Sequence, residues 1–258
     1  MPGFGWTASW LHGRCVAAWV GLVGCAWAAA GIVHAHRGKL TCRRRAEYRM
    51  AALPKLTYFD IEARGFAIRA ALRYAKVPFE DARIKFAELE TLRGPDGYND
   101  QVPLGSLPTL EVDGHVYIQS TCLARWAAKK SDLYPKDELG QLKCEMVMDT
   151  ANELVGKLPQ HKDPAEKKRL REEFAANTLP RYLRFIESNI KGPYILGDKF
   201  CVADLQTQSP IDMILGGRAD FIPPSIITDK YPKLAAYHAA VRSHPIAKAE
   251  IDAKKASI

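Results

Sequence analysis

A chain of 258 residues with 47% apolar and 26% charged residues has the make-up of an ordinary soluble globular protein, and is long enough for one large core or two smaller ones. Its formal net charge of +8 points first to a nucleic-acid or membrane partner. Residues 1–50, however, hold seven Lys/Arg against one Glu, and the remainder carries only +2, so the body shows no sign of being a polyanion binder.

The leader, residues 1–50, has a pattern of its own. Cys15 to Val33 is a run of nineteen uncharged residues rich in Ala, Val, Gly and Trp; Arg14 precedes it and an Arg-rich, acid-poor stretch follows. Three readings follow. The run is a signal peptide cleaved near Val33-His34-Ala35, with an organelle-transit-like segment behind it. It is a single membrane anchor, with the positive charge after it holding the body on the cytoplasmic side. Or Met50 is the initiating residue, the leader is absent from the mature protein and the protein is cytoplasmic. Met50-Ala51-Ala52-Leu53-Pro54 reads as a natural beginning, and the folded pattern starts directly after it. A membrane is a partner only if the leader is retained.

Three of the six Cys lie in the leader; Cys122, Cys144 and Cys201 remain, with no Cys-x-x-Cys and no metal-ligand spacing. Each is expected to be a small buried hydrophobe in a reducing compartment.

Lys55–Asp60 is β-rich, and Arg64–Lys76 places Phe66, Ile68, Ala70, Ala71, Leu72 and Ala75 on one helical face. Phe79–Phe86 reads as a second strand, parallel to the first. Arg93–Gly105 collects Gly94, Pro95, Gly97, Asn99, Pro103 and Gly105 and reads as a long loop. Leu107–Val112 and His115–Ile118 are strands joined by Asp113-Gly114, a hairpin turn, and Ser120–Lys130 is a helix with Leu123, Trp126 and Ala127 inward. This β-α-β then β-β-α order is thioredoxin-like. Beyond it the sequence reads as helices with no strand, at roughly 138–157, 163–190, 202–215 and 231–242, with a short terminal one. The fold class is α/β plus all-α: a thioredoxin-like domain over 53–131, a linker at 132–137 and an all-helical domain over 138–258.

At the junction of first strand and first helix, Tyr58-Phe59-Asp60-Ile61-Glu62-Ala63-Arg64 holds no Cys, so disulfide exchange there is excluded. What remains is a phenol and a guanidinium. A Tyr hydroxyl donates to a thiolate and lowers the thiol pKa, and Arg64 adds positive charge. The plain alternative is a strand aromatic and a solvated arginine. If Leu107-Pro108 is cis, the Leu107 backbone groups turn outward and pair with an extended peptide; the alternative is a proline opening an edge strand. Gln119-Ser120, at a helix start, offers a hydroxyl and backbone N–H groups to a carboxylate; the alternative is a plain N-cap.

Together, Lys55-Leu56-Thr57-Tyr58-Phe59, Pro78–Ile84, Leu107-Pro108 through Gly114, Gln119-Ser120, Ile195-Leu196-Gly197-Asp198 and Ala203-Asp204 resemble the glutathione transferase superfamily, sigma-like class, over residues 54–250. The resemblance implies that Tyr58 holds and activates the glutathione thiolate and that Arg64 supports its low pKa. Leu107, after which Pro108 is cis, binds the cysteinyl backbone, and Gln119 and Ser120 hold the γ-glutamyl end. Arg93 stands near the glycine carboxylate, where a Lys is usual. Acidic residues reach across a homodimer in the family; here the positions are Asn152 and Glu153, and only Glu153 keeps the charge. The second substrate, a small apolar electrophile, is expected in a pocket lined by Val155, Pro159 and the terminal helices.

The departures are specific. Leu89 replaces a glutathione-binding Trp, the 94–105 loop is longer, and Cys201 replaces a Ser/Thr helix cap three residues before Asp204, which is read as structural. No large aromatic stands near Gln160, which argues against a prostaglandin as substrate. The expectation is a glutathione transferase with glutathione as co-substrate, no metal and no nucleic-acid partner. The alternatives are a glutathione-dependent isomerase and a non-catalytic glutathione-binding homologue.

Overall fold

The first strand, β1 (Lys55–Phe59), alternates half-buried and buried residues, and Leu56 and Tyr58 face inward. A computed structural model of the chain describes residues 52–97 and 99–255; the leader lies outside them. Four strands form one sheet in the order β2-β1-β3-β4. Here β2 is Glu80–Ile84, β3 is Thr109–Val112 and β4 is His115–Tyr117. β1 pairs parallel with β2, with Tyr58 opposite Arg83, and antiparallel with β3, with Leu56 opposite Leu110. Asp113 (φ 52°) and Gly114 (φ 80°) both take the left-handed conformation that closes a two-residue hairpin between β3 and β4.

Helix α1 (Phe66–Tyr74) packs against α3 (Ser120–Ala128) and is buried from Phe66 through Leu72. It is shorter than the sequence pattern predicts. Its buried set also includes Arg69, which periodicity assigns to no apolar face. Fully burying Leu56, Phe66, Ile68 and Leu72 contributes roughly 1.5–3 kcal/mol each.

Two expectations change in the following stretch. The second strand ends at Ile84, and Phe86–Arg93 is a helix, α2, where the sequence reading has a strand ending at Phe86, a loop beginning at Arg93 and no element between them. Charge at Glu88, Glu90 and Arg93 leaves it almost no apolar periodicity, with Leu89 as its buried residue. Its start closes instead on Glu88, whose carboxylate accepts from the Lys85 N–H at 2.8 Å.

The C-terminal half is helical. It begins with α4 (Glu138–Lys157), capped by Asp137, whose carboxylate accepts from Gly140 N–H at 2.7 Å. The predicted helix over 163–190 is two helices, α5 (Pro164–Asn177) and α6 (Leu179–Asn189). Pro180 has no N–H to continue the ladder, so the chain breaks at Thr178. α7 (Val202–Leu215) is buried without interruption from Val202 to Asp212 and packs against α4, α1 and α3. It is followed by a short α8 (Ser225–Thr228), which the sequence reading missed, then α9 (Pro232–Ser243) and α10 (Pro245–Lys255). The segment between the two halves is anchored to α7, since Leu133 C=O accepts from Val202 N–H at 2.9 Å.

The cap at Cys201 is not lost. The Asp204 carboxylate accepts from Cys201 N–H at 2.8 Å, from Ile195 N–H at 2.9 Å and from the Tyr237 hydroxyl at 3.0 Å. The Cys201 thiol takes the place of the capping hydroxyl. Asp204 is therefore structural. Burial outweighs these donors and raises its carboxyl to about 6. Cys144 and Cys201 are buried as expected, whereas Cys122 is exposed, because it sits one residue beyond the buried start of α3.

Candidate functional site

Tyr58 is buried at the C-terminal end of β1, in a small cluster with Leu89, Val102 and Leu107. Its hydroxyl accepts a hydrogen bond from the Arg64 backbone N–H at 3.2 Å. Burial raises the phenol above its ordinary pKa, against the opposing pull of that N–H and of the Arg64 and Arg69 charges. The phenol therefore stays protonated at neutral pH and is a hydrogen-bond donor, not a base. Leu89, standing where the resemblance leads one to expect a tryptophan, packs against this cluster.

The turn after β1 holds Tyr58 in place. Arg69, only 1% exposed, reaches back from α1: its Nε donates to Asp81 at 2.7 Å, Nη1 to the Ile61 C=O at 3.3 Å and Nη2 to the Phe59 C=O at 3.2 Å. Two ties from one planar guanidinium pin the backbone on both sides of Asp60, and the third anchors that guanidinium to β2.

Beside Tyr58 opens a polar cleft. Arg64 lines it from the turn, Leu107 and Pro108 from the start of β3, Gln119 and Ser120 from the start of α3, and Asn152 from α4. The Leu107–Pro108 bond is cis. Gln119 carries a positive φ of 75°, which a non-glycine residue adopts only where its surroundings impose it. No side chain caps α3, whose first residues Gln119 and Ser120 line the cleft at the positive end of the helix dipole. Arg64 Nε and Thr121 Oγ1 are among the buried side-chain atoms of the described residues that have no hydrogen-bond partner. The cleft thus combines a guanidinium and a helix N-terminus, suited to carboxylates, with a protonated phenol behind it.

Of the residues singled out in the sequence, Arg64, Leu107, Pro108, Gln119 and Ser120 line this one cleft, with Tyr58 next to Arg64. Two do not. Arg93 donates through Nε to the Gly105 C=O at 2.5 Å and through Nη1 to Glu90 at 2.7 Å, so it fastens its own loop. Glu153 accepts from the Tyr182 hydroxyl at 2.8 Å and pairs with Lys157 at 3.3 Å on the outer side of α4. Asn152, one residue earlier, is the one that faces the cleft, and its Oδ1 accepts from the Ser120 hydroxyl at 3.2 Å. The sequence carried no signal for this contact between residues 32 apart. Val155 and Pro159 are half-buried, and Gln160 is held by Arg171 at 3.1 Å.

A family model described as the glutathione S-transferase N-terminal domain matches residues 54–129, and one described as its C-terminal domain matches residues 148–249. Hematopoietic prostaglandin D synthase of Mus musculus is 28% identical over 193 residues, 74% of this chain and 91% of its own. S-crystallin SL11 of Nototodarus sloanii is 27% identical over the same shares. Among solved structures, prostaglandin synthase D of Nilaparvata lugens aligns with a TM-score of 0.65 at 33% identity, covering 77% of this chain and 96% of that one. The chain belongs to the glutathione S-transferase family: a thioredoxin-like domain with a four-stranded sheet followed by a helical domain. Glutathione is the co-substrate of that family.

Proposed function

We propose that the cleft holds glutathione with its thiol against the Tyr58 hydroxyl, and that the protein conjugates glutathione to small apolar electrophiles. The supporting observation is the protonated, buried Tyr58 held by the Arg64 N–H at the edge of a cleft built for carboxylates. The phenol O–H donates to the thiolate sulfur and stabilises it over the thiol. Arg64 adds positive charge. The thiol proton leaves to solvent, and the sulfur lone pair forms the new C–S bond as the electrophile's leaving group departs with its electron pair. Leu107 presents its backbone to the cysteinyl residue, Gln119 and Ser120 hold the γ-glutamyl end beside the dipole of α3, and Asn152 orients Ser120.

The reading is tested by retention on immobilised glutathione and by aryl-halide conjugation. Wild type is expected to turn over, and Tyr58→Phe to lose about a hundredfold in kcat, in the range seen when one donor to a developing anion is removed. No turnover by wild type, or an unimpaired Tyr58→Phe, overturns it. Retention of both Tyr58 and Arg64 favours an enzyme over a crystallin-like scaffold, which has use for neither.

The protein is inferred to be a homodimer. Leu139 (78% exposed), Leu142 (66%) and Met146 (40%) form an exposed apolar stripe along α4. Further along α4 lies a groove lined by Thr150, Glu153, Lys157, Arg181, Tyr182 and Phe185, and an exposed apolar stripe beside it is the kind of surface that marks an interface. Glu153 lies on this outer side, where a second copy would meet it. Light scattering is expected to give a dimer, and Leu142→Glu a monomer. A cytoplasmic location follows from initiation at Met50, and the N-terminal mass of the native protein decides it. Among the described residues no helix is long and apolar enough to cross a membrane.

A further inference from the structure

The turn that carries Arg64 is held from three directions. Arg83 Nη1 of β2 donates to Asp60 at 2.6 Å, and Arg69 of α1 donates to the Ile61 and Phe59 carbonyls. These ties come from the turn's own half of the molecule. The third comes from the helical half: Arg242 Nη1, on α9, donates to the Glu62 carboxylate at 3.1 Å.

Arg242 is itself fixed. The same Nη1 lies 2.9 Å from Asp212 Oδ1 on α7. Asp212 also accepts from Arg218 and faces His238 Nε2 at 3.5 Å. An isolated exposed ion pair is worth little, because two long side chains must be ordered to form it. Here the guanidinium is already oriented by Asp212 before Glu62 meets it, and the side chains are only 32% (Arg242) and 19% (Glu62) exposed. Charges in such a chain reinforce one another.

The placement of Glu62 gives the contact its consequence. It stands two residues before Arg64, whose backbone N–H donates to the Tyr58 hydroxyl and whose guanidinium lines the cleft. A shift of Glu62 moves both. We propose that Arg242 is a positioning residue for the glutathione site: from α9 it holds Glu62, and through Glu62 it sets Arg64 against Tyr58. Activation of the thiol then depends on the docking of the helical domain onto the turn. The inference rests on the roles given above to Tyr58 and Arg64.

Two readouts on Glu62→Ala, Arg242→Ala, their double variant and Arg242→Lys test it. The first is kcat/KM for glutathione with the acid limb of its pH profile. The second is amide hydrogen exchange over residues 59–66 in the ligand-free protein. Each single alanine variant is expected to lose about tenfold in kcat/KM, to move the acid limb to higher pH and to speed exchange in the turn. The double variant should be no worse than the poorer single, as for a coupled pair, and Arg242→Lys should recover part of the loss. Unchanged exchange in Glu62→Ala, additive losses in the double variant, or a lower melting temperature with an unmoved acid limb each overturn the proposal. Exchange is read without turnover, so a wild type that conjugates nothing overturns the glutathione reading and leaves the clamp to be judged by exchange alone.

Discussion

The ring of Tyr58 lies directly over the bare Cα of Gly65, so close that a Cβ at position 65 would come within 2.5 Å of Tyr58 Cδ1 and 3.1 Å of Arg69 Nη1. Gly65 has ordinary helical dihedrals (φ −76°, ψ −19°), so its glycine serves space, not backbone freedom.

Gly65→Ala separates these two effects. The backbone accepts alanine and loses less entropy on folding, a gain of up to about 1 kcal/mol, while the buried ring must move. The expected outcome is a fall in kcat/KM for glutathione of about tenfold or more with a melting temperature changed by only a few degrees. A variant as active as wild type shows that the ring needs no such seat.

Arg69→Met removes three hydrogen bonds, two to the turn after β1 and one to Asp81 on β2. Asp81 keeps partners in Arg83 (2.9 Å) and Arg73 (3.2 Å), so the carboxylate is not stranded. The Phe59 and Ile61 carbonyls lose theirs. A loss of about 3 kcal/mol is expected, seen as a melting temperature lower by about 6–12 °C. Arg69→Lys should be nearly as unstable, because one ammonium cannot reach three acceptors lying on different sides.

Asn152→Ala leaves the Ser120 hydroxyl without its acceptor and opens the floor of the cleft. Since the contact orients a binding group, KM for glutathione is expected to rise roughly fivefold with kcat nearly unchanged, the pattern of lost uniform binding. A fall in kcat at constant KM places Asn152 in the chemical step instead.

Asp212 supplies a pH dependence of stability. Burial alone would raise its carboxyl, but His238, Arg218 and the charge of Arg242 outweigh burial and bring it down to about 2. The folded value lies below the unfolded one of about 3.9. The stabilisation is therefore complete above about pH 4 and disappears as pH falls toward 2, with a size on the order of 2 kcal/mol. Urea unfolding of wild type and Asp212→Asn is expected to show a stability gap that is constant from pH 7 to pH 5 and narrows toward pH 3. A gap independent of pH rules out this linkage.

Patterns local in the chain were legible before any coordinates. The Asp113-Gly114 turn needs two left-handed residues in a row, and the helices predicted at 138–157 and 202–215 lie at those bounds. Tyr58, Leu107-Pro108 and Gln119-Ser120 were found because each sits at a strand or helix end that the sequence marks. The amphipathic signal failed where charge dominates, as in α2, whereas the break at Thr178 has a local mark in Pro180 that a single helix over 163–190 overlooks.

Contacts between distant segments were decided only by the tertiary structure. Arg69 reads as one more polar residue on a helix until Asp81, Phe59 and Ile61 are brought around it. Arg93 and Arg64 are both free cations in the sequence, yet one is consumed by Gly105 and the other faces the cleft. Glu62 and Arg242 are 180 residues apart. The chemical groups and the elements that carry them are local properties of the chain. Which of those groups are buried, paired or left open to a ligand depends on what the fold packs against them, and no spacing along one segment encodes that.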